Sequence, residues 1–135
     1  MTSKIVYQGF LHTQAEHCAS GSLIETDAPV DNNGKGERFS PTDLAATSLG
    51  TCMLTVMGIA SKGKPYSLDQ TIVEVEKVMG INPRRITEIR IRMKFPEELS
   101  ISMEEQTYLE RVALNCPVSK SLHPDIKQDI TFVWH

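Results

Sequence analysis

The feature that most constrains the fold is a run of 18 residues, 44–61, that contains no charged side chain. The run follows Ser40 and Pro41, residue types preferred at the N-cap and the first position of a helix. Asp43 lies three residues after Ser40, which predicts a capping box. Hydroxyl side chains and two glycines make the run too polar for a membrane span. The sequence therefore predicts one long buried helix, ending near Gly63, in a protein that does not cross a membrane.

The absence of charge also bears on how this helix is covered. A helix that lies on one face of a sheet shows one apolar stripe and one polar face, whereas this run is uncharged all round. A sheet can cover one side of it, and the other side needs more protein. A second subunit is the simplest source of that cover, so we expect a homodimer.

The segments that flank the helix have the patterns of short strands. Three strands are expected between residues 3 and 27, and Cys18, at the end of the second, is expected to pack as a small hydrophobe. Alternation at 68–79 and 85–95 predicts a half-buried antiparallel pair. This order of strands and helices indicates an α+β fold built from antiparallel sheets, in a single domain, 1–135.

The C-terminal third predicts a second helix, a short helical turn and a final strand. A capping box formed by Ser102 and Glu105 opens a helix that runs to about Asn115. Cys116 and Pro117 begin a turn of helix, and the last strand covers 130–134.

Composition excludes several classes of function. The formal net charge is −3, with no basic stripe and no aromatic platforms, so we expect no nucleic-acid partner. No cluster of metal-ligand residues is present, so neither a metal nor another cofactor is expected. The three cysteines form no CxxC pair, and strand-like sequence follows Met1 directly. These features favour a cytoplasmic protein whose thiols are reduced at rest.

Cys52 lies in the middle of the predicted helix, on a stripe of small polar residues. At helical spacing it shares one face with Ser48, Thr51 and Thr55. Hydroxyls in a buried helix often bond the preceding turn, and a free cysteine is often a small buried hydrophobe. This stretch alone therefore leaves open a structural or a reactive thiol.

Cys116 stands directly before Pro117, which predicts the N-cap position of a short helix. The helix dipole and the free N–H groups there favour a thiolate. By this reasoning Cys116 is the more acidic thiol, because Cys52 is desolvated in mid-helix. The alternative is a cysteine that merely fills a turn.

Two motifs together resemble a known family. FSPTDLAATSLGTCM at 39–53 and NCPVSKSL at 115–122 are similar to the two cysteine motifs of the OsmC/Ohr proteins, the osmotically inducible protein C and organic hydroperoxide resistance family. The second cysteine follows the first by 64 residues, and the resemblance covers nearly the whole chain in order. It implies an OsmC-like fold with a long central cysteine-bearing helix in an intertwined homodimer.

The resemblance also implies a mechanism. Members are thiol-dependent peroxidases that act on organic hydroperoxides. By position Cys52 would be the peroxidatic thiol that becomes a sulfenic acid, and Cys116 the thiol that resolves it as a disulfide. An external dithiol, of lipoyl or thioredoxin type, would then reduce the disulfide.

The chain departs from the family pattern at Thr42. Members stabilise the thiolate with an arginine that is held by a glutamate ten residues before the helix cysteine, and that position is Thr42 here. Asp43 is nine residues from Cys52 and on the far side of the helix, so a capping role fits it better. Arg38, with Glu37 beside it, is the candidate for the arginine; a solvated surface arginine is the alternative.

Two other functions remain open on the sequence. The departure at Thr42 favours an OsmC-like binding or stress-sensing protein, with a pocket beside Met53 and Met57 for a small hydrophobic or electrophilic ligand. A hydrolase or transferase with a cysteine nucleophile is a weaker alternative, since only His123 stands near Cys116 in sequence.

Overall fold

The computed structural model describes all 135 residues. Internal packing divides them into two compact units, an N-terminal unit of residues 1–45 and a C-terminal unit of residues 46–135.

The N-terminal unit contains an antiparallel three-stranded sheet in the order β1-β2-β3. Its strands are β1 (Ser3–Gly9), β2 (His12–His17) and β3 (Leu23–Asp27). Phe10 and Leu11 form a two-residue turn with φ of 54° and 60°, so β2 begins at His12, earlier than the sequence suggested. Cys18 lies one residue beyond β2 and is exposed, so the prediction that it packs in the interior is wrong.

The long helix α1 (Pro41–Ala60) begins as the sequence predicted. The Ser40 N–H donates to Asp43 Oδ2 at 2.9 Å, and the Asp43 N–H donates to Ser40 Oγ at 3.0 Å. Two of the helix's unpaired N-terminal donors are thus satisfied reciprocally, which confirms the capping box. The helix ends at Ala60, three residues before Gly63, which adopts a left-handed φ of 79°.

The C-terminal unit contains a second three-stranded sheet, in the order β4-β5-β6. Its strands are β4 (Ile72–Gly80), β5 (Arg85–Lys94) and β6 (Lys127–Val133). β4 and β5 are antiparallel, as predicted, but β6 runs parallel to β5, so this sheet is mixed rather than antiparallel throughout. A parallel neighbour requires a crossover connection, and the two helices between β5 and β6 supply it.

Those helices are α2 (Met103–Leu114) and α3 (Pro117–Ser121). Ser102 caps α2 by accepting from the Glu105 N–H at 3.2 Å, which is one half of the predicted capping box. The Glu105 carboxylate serves elsewhere: it accepts from the Tyr66 hydroxyl at 2.7 Å and lies 3.1 Å from Lys64 Nζ. The second half of the box is therefore replaced by a contact with the loop after α1.

The core of the C-terminal unit joins one face of α1 to the inward face of β5 and to α2. The fully buried side chains at its centre are Leu49, Met53, Met57, Ile89, Met93 and Leu109. Thr51 and Thr55 on α1 are exposed, so a single chain covers this helix on one side only. By length and composition α1 is apolar enough to cross a membrane, so the inference that its hydroxyls and glycines make it too polar is wrong. The core helix of a soluble protein passes the same test.

Candidate functional site

Cys52 is half-buried on α1, at the edge of the hydrophobic core. The hydroxyls around it are engaged within their own helix. Thr51 Oγ1 donates to the Ser48 carbonyl at 3.0 Å, and Thr55 Oγ1 donates to the Thr51 carbonyl at 2.7 Å. The two threonine hydroxyls of the predicted stripe are therefore bonded to the preceding turn, as is common for threonine inside helices.

Cys116 is buried at the N-cap of α3, which confirms the position expected from Pro117. Its backbone turns from α2 into α3, with the Cys116 N–H donating to the Ala113 carbonyl at 3.2 Å. Its Sγ accepts a hydrogen bond from the Ser119 N–H at 3.4 Å. The thiol thus takes the place that a serine or aspartate oxygen fills at most helix starts.

The two thiols are close enough to interact electrostatically, and Cys52 packs against the core cluster that contains Cys116, although 64 residues separate them in sequence. Burial raises the pKa of the Cys116 thiol, and the neighbouring Cys52 thiol raises it further. The backbone N–H groups of Ser119 and Val118 lower this pKa but do not offset burial. The expectation that the N-cap makes Cys116 an acidic thiol is therefore wrong, because desolvation outweighs the helix terminus.

Neighbouring free thiols define what this site can do chemically. Both are reduced, and a two-electron oxidation of either sulfur allows the other to close a disulfide. The closure requires the sulfurs to approach to about 2.05 Å. A single buried thiol would lack this partner, so the pair permits a reversible disulfide that neither thiol could form alone.

Arg38 belongs to the N-terminal unit and is half-exposed. Its Nε donates to Glu25 Oε2 at 3.1 Å, and its Nη1 donates to the backbone carbonyl of Glu37 at 3.0 Å. The Arg38 bond is the main reason that the pKa of Glu25 is lowered. The carboxylate that orients Arg38 is thus that of Glu25 on β3, and the suggestion that Glu37 does so is wrong.

His12 contacts Glu25, and this functional contact was not predicted from the sequence. His12 on β2 lies with Nε2 3.3 Å from Glu25 Oε1 and with Nδ1 2.6 Å from Asp27 Oδ1. The hydrogen bond with Asp27 is the largest cause of a raised His12 pKa. The strand register brings these side chains together, because His12 is the direct partner of Asp27 in the β2–β3 pair. Register between strands is not visible in the sequence. The only signal there was that Glu25 and Asp27, two residues apart, share one face of a predicted strand.

The Asp27–His12–Glu25–Arg38 series alternates negative and positive groups. Asp27 is the most buried of the four, with 6% of its surface exposed, and Arg38 is the most accessible. The oppositely charged neighbours favour the ionised forms of His12, Glu25 and Arg38, raising the pKa of His12 and of Arg38 and lowering that of Glu25. The series anchors the Arg38 guanidinium to the strands of the N-terminal sheet.

The structure gives less support to a metal site, to His123 as a catalytic partner of Cys116 and to a ligand pocket. No group of three or more His, Cys, Asp or Glu residues is arranged to hold a metal ion. His123 Nδ1 accepts from the Asp125 N–H at 3.1 Å, an exposed local contact. Met53 and Met57, beside which a ligand pocket was expected, are buried core residues. A cavity of about 150 Å³ lies instead between α1 and β4, lined by Gly50, Leu54, Val73 and Val75 among others.

The OsmC-like protein family matches this chain over residues 34–131. The chain belongs to the OsmC-like family. The matched segment contains both cysteines and Arg38. One solved structure is that of a protein from Psychrobacter arcticus 273-4 described as an osmotic stress induced and detoxification response protein, and its sequence is 48% identical to this chain. It superposes with a TM-score of 0.92 and covers 98% of this chain and 95% of its own.

More distant OsmC-like structures share the fold. An organic hydroperoxide resistance protein OsmC from Legionella pneumophila is 14% identical, with a TM-score of 0.75 over 98% of this chain and 97% of its own. An organic hydroperoxide resistance protein from Elizabethkingia anophelis is 17% identical, with a TM-score of 0.74 over 100% and 97%. No curated protein sequence matches the chain. The α+β fold with two three-stranded sheets is thus that of the OsmC/Ohr proteins.

Proposed function

We propose that this OsmC-like protein is a thiol-dependent peroxidase that reduces organic hydroperoxides through Cys52 and Cys116. The observation that carries the proposal is that two free thiols, Cys52 and Cys116, lie in the same core cluster and interact electrostatically. Family membership supports a role in peroxide stress, since relatives of the same fold are named for organic hydroperoxide resistance.

The first step would occur at Cys52, the more exposed of the two thiols. The Cys52 thiolate attacks one oxygen of the peroxide, the S–O bond forms and the O–O bond breaks. Cys52 becomes a sulfenic acid, and the alkoxide leaves with a proton as an alcohol. The sulfur is oxidised by two electrons and the peroxide is reduced by two.

The second step uses Cys116. Its thiolate attacks the Cys52 sulfur, the S–S bond forms, and the sulfenic oxygen leaves with a proton as water. An external dithiol, of lipoyl or thioredoxin type, then reduces the disulfide by exchange and is itself oxidised to a disulfide. The cytoplasm, where such dithiols are kept reduced, is the proposed compartment.

Arg38 is the proposed cation for the Cys52 thiolate. A positive charge nearby stabilises a thiolate, and the family uses an arginine for this purpose. Thr42 stands where the family has the glutamate that holds the arginine. In this chain the Glu25 carboxylate binds Arg38 Nε at 3.1 Å, which supports Glu25 as the replacement for that glutamate.

A homodimer is the proposed assembly. Within one chain the N-terminal sheet leaves an apolar face uncovered, on which Ile5 is 67%, Tyr7 63% and Ile24 49% exposed. Alternation places these side chains on the same face, opposite Lys4 and Glu16. An apolar sheet face of this kind requires cover, and a second copy of the chain supplies it in the intertwined dimer that the family resemblance implies.

The deciding experiment is intact mass and peptide mapping after one equivalent of tert-butyl or cumene hydroperoxide. We expect a rapid loss of two hydrogens, and peptide mapping should place the new disulfide between Cys52 and Cys116. Cys52→Ser should abolish it, and Cys116→Ser should leave a sulfenic acid on Cys52 that a cyclic dione traps. Cys18→Ser is the matched control and should react like the parent protein. Full peroxidase activity in Cys52→Ser would exclude the mechanism.

A second candidate is a binding or stress-sensing protein for a small hydrophobic or electrophilic ligand. The observation that favours it is Thr42 in place of the family glutamate. The cavity of about 150 Å³ beside α1 lies below the 300–1,000 Å³ typical of ligand pockets, so only a very small ligand would fit. No reaction with hydroperoxide over minutes, together with thermal stabilisation by such a ligand, would favour this alternative.

A further inference from the structure

Gln128 lies on β6, where its half-buried side chain points to the same side of the sheet as Ile130 and Phe132. Its register partner on β5 is Ile89, which is fully buried. The amide group of Gln128 is therefore carried by a strand whose position the core fixes.

Gln128 holds Ser119 at two points. The Ser119 hydroxyl donates to Gln128 Oε1 at 2.6 Å, and Gln128 Nε2 donates to the Ser119 carbonyl at 3.2 Å. Both bonds are part-buried, where a hydrogen bond is less weakened by competing water. The pair ties the middle of α3 to the edge of the second sheet.

The backbone of the same serine contacts the thiol. The Ser119 N–H donates to Cys116 Sγ at 3.4 Å, and the Val118 N–H also favours the ionised sulfur. A thiolate accepts such bonds more strongly than a thiol does, so these donors matter most when Cys116 ionises. The hydrogen bonds thus run from Gln128 through Ser119 to the Cys116 sulfur.

We propose that Gln128 is a positioning residue for the resolving thiol: by holding Ser119 at both its hydroxyl and its carbonyl, it keeps the Ser119 N–H directed at Cys116 Sγ. The inference rests on the proposed function, in which Cys116 attacks the Cys52 sulfenic acid. Burial opposes ionisation of Cys116 at rest. A fixed donor offsets part of that cost at the moment when the thiolate is needed.

The first test measures Cys116 alone and needs no peroxide. In protein carrying Cys18→Ser and Cys52→Ser, the Cys116 thiolate is titrated by the ¹³Cβ NMR shift of labelled cysteine. Gln128→Met preserves volume and removes both bonds, and we expect the titration midpoint to rise by about 0.5–1 unit. Thr131→Val, on the outward face of the same strand, is the matched control and should leave the midpoint unchanged.

Ser119→Ala provides a second variant in case Gln128→Met does not fold. It loses the hydroxyl bond to Gln128 but keeps its N–H, so we expect a smaller shift in the same direction. Equal midpoints in Gln128→Met, Ser119→Ala and Thr131→Val would overturn the proposal.

The second test follows disulfide closure after a single addition of hydroperoxide, as a function of pH. A higher Cys116 pKa reduces the thiolate fraction but raises its nucleophilicity, with a Brønsted coefficient of about 0.4–0.5. Below the pKa we therefore expect Gln128→Met to close its disulfide about two- to fourfold more slowly, and above the pKa at least as fast as the parent. If Gln128 instead fixed only the place of the sulfur and not the direction of the Ser119 N–H, its loss would lower the rate equally at every pH. That result would also overturn the proposal.

The two tests separate the further inference from the proposed function. A shifted Cys116 midpoint in a protein that forms no disulfide with hydroperoxide would retain the role of Gln128 and reject the peroxidase. Disulfide formation with an unshifted midpoint would retain the peroxidase and reject the role of Gln128.

Discussion

At the scale of single residues, the contact between Glu25 and Arg38 tests the proposal that Arg38 stabilises the Cys52 thiolate. We expect Glu25→Gln to lower kcat/KM for an organic hydroperoxide, because the guanidinium loses the carboxylate that orients it. Both side chains are more than a third exposed, so water screens the pair and the loss should be only about two- to fivefold.

Glu37→Gln is the matched control for that measurement. It removes a carboxylate next to Arg38 in sequence but keeps the backbone carbonyl that Arg38 contacts. Steady-state kinetics should therefore show little change. An equal loss in both variants would show that Glu25 acts only through net charge.

His12 provides a pH-dependent prediction at the same scale. Its pKa is raised, first by the hydrogen bond with Asp27, so the charged imidazole is favoured in the folded protein. The resulting stability is present in full below the unfolded pKa of about 6.5 and is lost as the pH rises through the folded pKa.

An NMR titration of the His12 ring measures this pKa directly. We expect a midpoint above the ordinary histidine value in the parent protein. Asp27→Asn should move the midpoint down, and Glu16→Gln, which changes a carboxylate elsewhere on β2, should not. A midpoint that is the same in all three proteins would contradict the Asp27–His12 contact.

At the scale of elements, two glycines of α1 test how this helix packs. A Cβ at Gly50 would lie 3.0 Å from methyl groups of both Val73 and Val75 on β4, whereas a Cβ at Gly58 would meet nothing within 4 Å. Valine side chains have few rotamers with which to move aside.

Opposite signs are therefore expected for the same substitution. Gly58→Ala should raise the free energy of unfolding by up to about 1 kcal/mol, since alanine favours the helix. Gly50→Ala gains the same propensity but overpacks the helix–sheet contact, and we expect a net loss of about 1 kcal/mol. Urea unfolding measures both. Stabilisation by Gly50→Ala would mean that α1 and β4 are less closely packed than the structure shows.

At the scale of the whole molecule, the uncovered face of the N-terminal sheet predicts the assembly. Ile5 and Val6 are neighbours on β1, are 67% and 60% exposed, and point to opposite faces. We expect Ile5→Asp to shift the protein towards monomer, because it places a charge on the apolar face, and Val6→Asp to leave it dimeric.

Sedimentation velocity over a range of concentrations distinguishes these outcomes. The substitutions carry the same charge and the same cost in strand propensity, so a difference between them reports the face and not the residue type. A monomeric parent protein, or equal behaviour of the two variants, would contradict the proposed dimer.

The sequence by itself determined the elements whose signals are local. The Ser40–Asp43 capping box, the alternation of β5 and the N-cap position of Cys116 all depend on residues a few positions apart, and the structure has each of them. Family membership followed from the two cysteine motifs and is confirmed. Helical and strand periodicities, and side chains that bond the nearby backbone, are properties that a short segment carries alone.

Only the tertiary structure decided what depends on distant residues meeting. The parallel pairing of β6, the His12–Asp27 contact and the choice of Glu25 over Glu37 as the partner of Arg38 join residues that are remote in sequence. The pKa of Cys116 followed burial rather than the helix terminus, because desolvation comes from the whole core around the sulfur. Strand register and burial arise when the chain closes on itself, and no local pattern encodes them.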